Sequence, residues 1–307
     1  MNSIIGRLAP SPTGGQHLGN ARTYLIAWLS IRSQGGKIIL RIEDIDSPRV
    51  KESATDQLIE DLQWLGLDWD IGPIIQSTRL TVYQEALDKL KILGKVYPCI
   101  CTRKDIEQAA SAPHLEHEMP PYPGLCVQRT VAEAKLISQP FAWRYRAERI
   151  SPAFEDYFVG HIPSRPEFGG DFVVWKNNNT PAYQLAVVVD DAAMSVTEVV
   201  RADDLIPSTP RQLQLYQSLD LKPPRYAHVP LVVGQDGRRL AKRHGDTRLA
   251  SYRSAGISPE YILGYLAWSC GWLKIPREIS AKELISQFDW KSIPHQPWVV
   301  NDSFLKT

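Results

Sequence analysis

Apolar residues along the chain switch between two spacings, and the switches predict the elements. Residues 3–8 (SIIGRL) and 37–42 (KIILRI) are short β-branched runs that read as strands. Between them, residues 21–33 carry apolar side chains at helical spacing and Gly36 closes the helix, so the N-terminal segment predicts a β-loop-α-β unit. Residues 51–66 (KESATDQLIEDLQWLG) form an amphipathic helical pattern, with Ser53 as a cap and Gly66 as a stop, and residues 80–93 predict a further helix ending at Gly94. From residue 97 to about 162 the periodicity degrades and prolines recur, the mark of an inserted module. Strand-like runs return at 172–175, 186–189 and 197–200, followed by a helix over 210–219 and a strand over 229–233. After residue 247 the pattern is helical again, clearest at 259–268. The expected architecture is an α/β layer split in two by the insertion. Its expected parts are 1–96 for the first half, 97–170 for the insertion, 171–246 for the second half and 247–307 for a helical end.

Composition narrows the class. With 307 residues, 43% of them hydrophobic, and 9 tryptophans, the chain can bury a substantial core. The N-terminus MNSIIGRLAP has no basic stretch leading into an apolar run, and no apolar run approaches a membrane span, so a cytoplasmic protein is expected. A net charge of +1 gives the molecule no long-range attraction for polyanions, and any nucleic-acid contact must come from local patches.

Two loops carry candidate chemistry. In "LAPSPTGGQHLGNARTYLIAWL" (residues 8–29), Pro10 and Pro12 impose extended backbone, Gly14 and Gly15 allow a close approach, and His17 stands at the entrance of the first helix. A glycine-bearing turn at a helix N-terminus presents backbone N–H groups to a phosphate, although neither common nucleotide fingerprint is present. In "GQDGRRLAKRHGDTRL" (residues 234–249), Arg238, Arg239, Lys242, Arg243 and Arg248 crowd one loop, which reads as a solvated basic turn or as a clamp for a triphosphate.

The cysteines add a third site. Cys99, Cys101 and Cys126 cluster in the insertion, and Cys270 sits in a predicted helix and reads as core. Three thiolates with one oxygen or nitrogen ligand would close a tetrahedral structural zinc site, and Tyr122, His114 and His117 all lie near enough in sequence to be the fourth ligand.

Taken together, these segments resemble the class I aminoacyl-tRNA synthetases. Residues 10–20, ending His17-Leu18-Gly19-Asn20, resemble that family's HIGH motif, and Arg239-Leu240-Ala241-Lys242-Arg243 resembles its KMSKS loop, with only the second lysine kept. The stretches "RIEDIDSPR", "AYQLAVVVDDAAMSVTEVVRADDLIPSTPRQLQLY" and "YAHVPLVV" are similar to the glutamyl branch, so the resemblance covers nearly the whole chain. It implies a Rossmann-like α/β catalytic domain split by a zinc-containing insertion that meets the tRNA acceptor end in the family, followed by a short helical stem-contact region. It also implies ATP as substrate, with Mg²⁺, held by Pro10, His17, Gly19, Asn20, Arg239 and Lys242. His17 and Lys242 would be the catalytic pair, offsetting charge on the reacting phosphates.

The same resemblance implies a glutamate pocket of Arg7, Ser11, Glu43, Tyr183 and Arg201, in which arginine gripping a carboxylate favours glutamate over glutamine. The family's Cys-x-Cys, Tyr-x-x-x-Cys pattern picks Tyr122 to join Cys99, Cys101 and Cys126 around one zinc, although a long spacer (102–121) precedes it. The chain stops at Thr307, where discriminating glutamyl-tRNA synthetases continue into an anticodon-binding region. That shorter form resembles the tRNA-modifying members of the branch. They activate glutamate without tRNA and attach it to the queuosine base at the wobble position of tRNA(Asp). The expected partners are therefore L-glutamate, ATP and queuosine-bearing tRNA(Asp), with no membrane, and the protein is expected to act as a monomer. A minimal synthetase charging a tRNA 3′ end, and an inactive RNA-binding relative, are the alternatives.

Overall fold

The computed structural model describes residues 3–12, 15–45, 52–109, 122–238, 240 and 247–300. Strand β1 (Ile5–Leu8) pairs in parallel with β2 (Lys37–Ile42), and β2 pairs in parallel with β3 (Ile71–Ile75). Parallel neighbours need crossovers, which are supplied by α1 (Leu18–Arg32) and α2 (Glu52–Trp64). Both faces of β2 are covered: Ile38, Leu40 and Ile42 join a core with Leu25, Trp28, Leu58 and Leu62, while Ile39 packs with Val199 and Tyr226.

The second half supplies α5 (Tyr183–Ala193), β9 (Glu198–Ala202), α6 (Thr209–Leu219) and β10 (Arg225–Val229), with β9 and β10 again parallel. Thr197 N donates to Ile5 O at 2.8 Å and Arg7 Nη1 to Val200 O at 3.1 Å, which sets β9 against β1. The strands therefore stand in the order β3, β2, β1, β9, β10, and the two halves of the layer meet between β1 and β9. A crevice at the carboxyl ends of these strands is the expected ligand position in such a layer.

Three expectations are corrected. Residues 172–175 do form a strand, β8 (Phe172–Trp175), but it is the third member of an antiparallel sheet with β4 (Val96–Cys99) and β5 (Ala142–Tyr145) instead of part of the parallel layer. Residues 186–189, read as a strand, lie inside α5. Leu185 through Val189 are all buried there, and packing on every side overrides the β-preference of the three valines. The predicted strand over 229–233 is interrupted at Pro230: β10 ends at Val229, and β11 (Val232–Val233) pairs instead with β12 (Trp298–Val299).

Helix α3 (Leu80–Ile92) leads into β4, with Gly94 at φ +65° turning the chain, and α4 (Arg103–Ala109) follows β4. A hairpin of β6 (Phe154–Asp156) and β7 (Gly160–Ile162) lies against β10, where Tyr157 N donates to Tyr226 O at 2.8 Å. The C-terminal segment holds α7 (Leu249–Ser254), α8 (Pro259–Ser269) and α9 (Ala281–Leu284). Ser258 caps α8 by accepting from Tyr261 N, and Pro259 occupies its first turn. Ile262, Leu263 and Leu266 of α8, with Cys270, complete the core begun by α1. Among the described residues no helix is long and apolar enough to cross a membrane.

Candidate active site

His17 is the N-cap of α1. Its Nδ1 accepts from Gly19 N at 3.1 Å and Asn20 N at 3.4 Å, while Asn20 Oδ1 accepts from His17 N at 3.3 Å, a reciprocal cap. Glycine at 19 leaves room for the imidazole folded back over the turn, since a Cβ there would stand 3.0 Å from His17 Nδ1 and Cε1 and press the ring aside. With Nδ1 accepting, the ring proton sits on Nε2, so the residue can donate to an anion at a helix terminus already carrying partial positive charge. The same turn is tied to the far end of the basic loop: Leu18 N donates to Thr247 O at 3.1 Å and Leu249 N to Gln16 O at 2.8 Å. Arg239 and Lys242, singled out in that loop, lie outside the described residues.

A cavity of about 510 Å³ opens beside this turn and is lined by Arg7, Ser11, His17, Asn20, Glu43, Tyr183 and Arg201. Pro10 and Gly19 stand behind the lining: Pro10 is buried and its carbonyl accepts from Glu43 N at 2.9 Å, joining the exits of β1 and β2.

The charges around the cavity alternate in sign. Arg7 Nε lies 3.8 Å from Asp191 Oδ1, Arg41 Nη1 donates to that oxygen at 2.6 Å, and Arg41 Nη2 donates to Glu43 Oε1 at 2.9 Å. Arg7 and Glu43, the ends of the row, face the cavity; Arg41 and Asp191 lie behind them and are buried. Among the described residues Arg7 Nε has no hydrogen-bond acceptor; it is buried and faces Asp191 Oδ1 at 3.8 Å, an ion pair without a hydrogen bond. Burial pushes the Glu43 carboxyl above its ordinary 4.5, with Arg41 opposing the shift. The neighbouring Asp190 accepts from Gln76, Arg79 and Tyr83, each at 2.8 Å, and so fixes α5 against α3.

On the neighbouring strand β9, Arg201 donates from Nε to His228 Nε2 at 2.9 Å and from Nη2 to Thr209 Oγ1 at 2.8 Å, and its Nη1 lies 3.5 Å from Tyr183 Oη. Burial pushes the Tyr183 phenol up, which keeps it a neutral hydroxyl near pH 7. Two buried arginines and an acid lining one cavity suit an amino acid that carries two carboxylates and an ammonium. Sequence reasoning passed over Arg41, Asp190, Asp191, Asp156 and His228. The available signal was charge set inside apolar runs, as in "IILRIED" and "VVVDDAA", where burial demands a partner.

The cysteine cluster forms separately, on β4 and the segment that follows α4. Cys99 Sγ and Cys101 Sγ stand 3.5 and 3.6 Å from Tyr122 Oη, and Cys101 Sγ stands 3.5 Å from Cys126 Sγ. Ligands on a tetrahedral zinc at about 2.3 Å from the metal are roughly 3.8 Å from one another, so the four donors fit one ion. Two contacts orient the set: Cys126 N donates to Tyr122 Oη at 2.8 Å, and Arg144 Nε donates to Cys99 Sγ at 3.2 Å. Against the cost of burial, hydrogen bonds from Tyr122 and Arg144 hold the Cys99 thiol below its ordinary value, whereas burial pushes Cys101 up to about 12. His114 and His117 lie outside the described residues.

Comparison with known proteins matches residues 3–307 to the family described as tRNA synthetases class I (E and Q), catalytic domain. The glutamyl-Q tRNA(Asp) synthetase of Rhodopirellula baltica is 49% identical over 98% of this chain and 98% of its own length. The glutamate–tRNA ligase of Pelobacter propionicus is 41% identical over 99% of this chain but 65% of its own. Among solved structures, a glutamate tRNA ligase from Elizabethkingia meningosepticum in complex with its amino acid superposes with a TM-score of 0.83 at 26% identity, covering 99% of this chain and 68% of that one.

Proposed function

For a chain that belongs to the class I tRNA synthetase family (E and Q, catalytic domain), we infer a ligase that activates glutamate with ATP and transfers it to queuosine in the anticodon of tRNA(Asp). The observation that carries the reading is the cavity: its two buried arginines and half-buried acid suit glutamate, and its helix terminus suits a nucleotide phosphate. The 49% identity to a glutamyl-Q tRNA(Asp) synthetase, against 41% to a glutamate–tRNA ligase, supports the modified base over a 3′ end as acceptor.

Arg7 and Arg201 hold the amino acid's two carboxylates, with Ser11 and Tyr183 as hydroxyl donors, and Glu43 takes its ammonium. One α-carboxylate oxygen then attacks the α-phosphorus of ATP, the bond to the β-phosphate oxygen breaks and pyrophosphate leaves. His17, fixed by its Nδ1 contacts, aims Nε2–H at the phosphate oxygens as their charge grows. Lys242 is assigned the charge on departing pyrophosphate, with Arg239 beside it in sequence. Mg²⁺ entering with ATP supplies further charge neutralisation. In the second step a ring hydroxyl of queuosine attacks the adenylate carbonyl and AMP leaves, which requires the wobble base to be splayed into the cavity. Cys99, Cys101, Tyr122 and Cys126 are the ligands proposed for one structural zinc, which cross-links the insertion. An activity on tRNA is exercised in the cytoplasm, and one chain supplies every residue named.

The decisive experiment incubates the protein with ATP, labelled glutamate and either queuosine-bearing tRNA(Asp) or tRNA(Glu), then maps the label by nuclease digestion. Label in the anticodon fragment of tRNA(Asp) is expected; label at a 3′ end would overturn the choice of acceptor. Lys242→Ala is expected to fold normally and to suppress glutamate-dependent ATP–pyrophosphate exchange strongly, and near-normal exchange would remove Lys242 from the mechanism.

A further inference from the structure

Arg201 is held by a buried pair that neither step of the reaction uses. His228 on β10 is fully buried between Phe154 and Tyr226, whose ring centroids stand 6.3 and 6.1 Å away. Its Nδ1 lies 2.6 Å from Asp156 Oδ2, and its Nε2 lies 2.9 Å from Arg201 Nε. Arg201 Nε always carries a hydrogen, so Nε2 must be bare and the imidazole proton must sit on Nδ1, donated to Asp156. Asp156 in turn cannot swing away, because its Oδ1 accepts from the backbone N–H of Phe158 at 3.0 Å, of Val159 at 2.9 Å and of His228 at 3.2 Å.

We propose that Asp156 and His228 are positioning residues of the amino-acid site: a bare Nε2 against Arg201 Nε decides which edge of the guanidinium meets the substrate, and so sets the preference for glutamate over glutamine. The proposal rests on reading the cavity as a glutamate site. The geometry gives it a direct logic. Nε donates to His228, and Nη2 donates to Thr209 Oγ1 and, at 3.4 Å, to Leu205 O, so one edge of the guanidinium is committed to the protein. Nη1, beside Tyr183, is what remains for a carboxylate in the cavity. Were Nε2 protonated, donor would face donor and Arg201 would lose that orientation. Glutamine depends far less than glutamate on a correctly aimed cation, so misorientation should cost glutamate more. Because Asp156 belongs to the β6–β7 hairpin, a segment outside the parallel layer contributes to substrate choice.

The test measures ATP–pyrophosphate exchange against glutamate and against glutamine in the full-length protein, with His228→Leu and His228→Gln compared with the wild type. His228→Leu is expected to raise KM for glutamate by about tenfold to a hundredfold, the effect of one lost buried partner. KM for ATP should hold, and the glutamate-to-glutamine ratio should fall. His228→Gln, whose amide oxygen can accept from Arg201 Nε, should recover most of the loss, which a purely structural role would not predict. Nitrogen NMR of histidine-labelled wild type reads the tautomer independently of activity: His228 protonated on Nδ1 and bare on Nε2 is expected, and the reverse overturns the proposal. An unchanged KM for glutamate in His228→Leu overturns it while leaving the glutamate reading intact. A wild type without glutamate-dependent exchange overturns both.

Discussion

The charged row at the cavity and the cysteine cluster in the insertion both concentrate reactive side chains, but they achieve neutrality in opposite ways. The row draws Arg7 from β1, Arg41 from the end of β2 and Asp191 from α5, so it exists only after the two halves of the parallel layer have met. Once formed it carries its own countercharges, arginine beside acid beside arginine beside acid. The cluster gathers its donors within one short stretch, and all of them are acids or potential anions, with Arg144 the one cation in contact among the described residues. The lesson is that the cavity's charges are balanced within the protein, whereas burial keeps Cys101 in the cluster a protonated thiol that only a metal would draw into charge.

The most severe way to break that contrast is to remove an inner member of the row. Asp191→Leu leaves Arg41 and Arg7 buried without their shared acceptor and should cost about 3–5 kcal/mol, read by chemical denaturation. A loss near zero would mean the row does not balance itself. The corresponding change in the cluster, Cys101→Ser, should abolish binding of about one zinc per chain and destabilise by roughly 3 kcal/mol or less. Because the cavity does not depend on the insertion's ligands for its charge balance, exchange with glutamate should survive that substitution. Metal analysis finding no zinc in wild type purified without chelators would remove the site. His17→Ala should cost about 1 kcal/mol, the loss of a helix cap, alongside its larger effect on adenylate formation. A loss of activity with no loss of stability would separate the two roles of that side chain.

How much of this was legible follows the same division. The gathering of Cys99, Cys101 and Cys126 could be anticipated from spacing because they lie within one stretch, whereas Tyr122 was singled out only by the family resemblance. Helix α1 and strand β2 were legible because local signals agree there: apolar helical spacing, a closing Gly36, then a β-branched run, although the cap at His17 that starts the helix at Leu18 showed only in the folded chain. Strand β8 had the right local pattern, but no local pattern says which sheet a strand will join. Helix α5 was hidden by its valines, since a helix buried on all sides loses the polar face that betrays its period. The residues chosen for the glutamate pocket from family resemblance do line one cavity, yet the residues that hold them, Arg41, Asp191 and His228, carry no motif of their own. Their partners are remote in sequence, so only the folded chain reveals them.

The smallest predicted effect sharpens the comparison within the pocket. His228 faces Asp156 and Arg201 directly, with Arg7 and Tyr226 nearby, and burial together with the arginine charges outweighs Asp156 to lower its pKa from the ordinary 6.5. The unfolded chain then binds a proton that the folded one refuses. Stability is therefore full above pH 6.5 and declines as pH falls from there toward the lowered folded value. One such histidine contributes at most about 1 kcal/mol over the first pH unit of that fall. Asp156 responds separately: hydrogen bonding from His228 outweighs its burial and holds its carboxyl below 3.8, so its contribution is lost only in stronger acid. Denaturation midpoints measured across the two ranges should show both phases in the wild type and only the acid one in His228→Gln. Persistence of the upper phase in that variant would assign it to another of the chain's histidines, and the pocket's balance of charge would then owe nothing to a neutral imidazole.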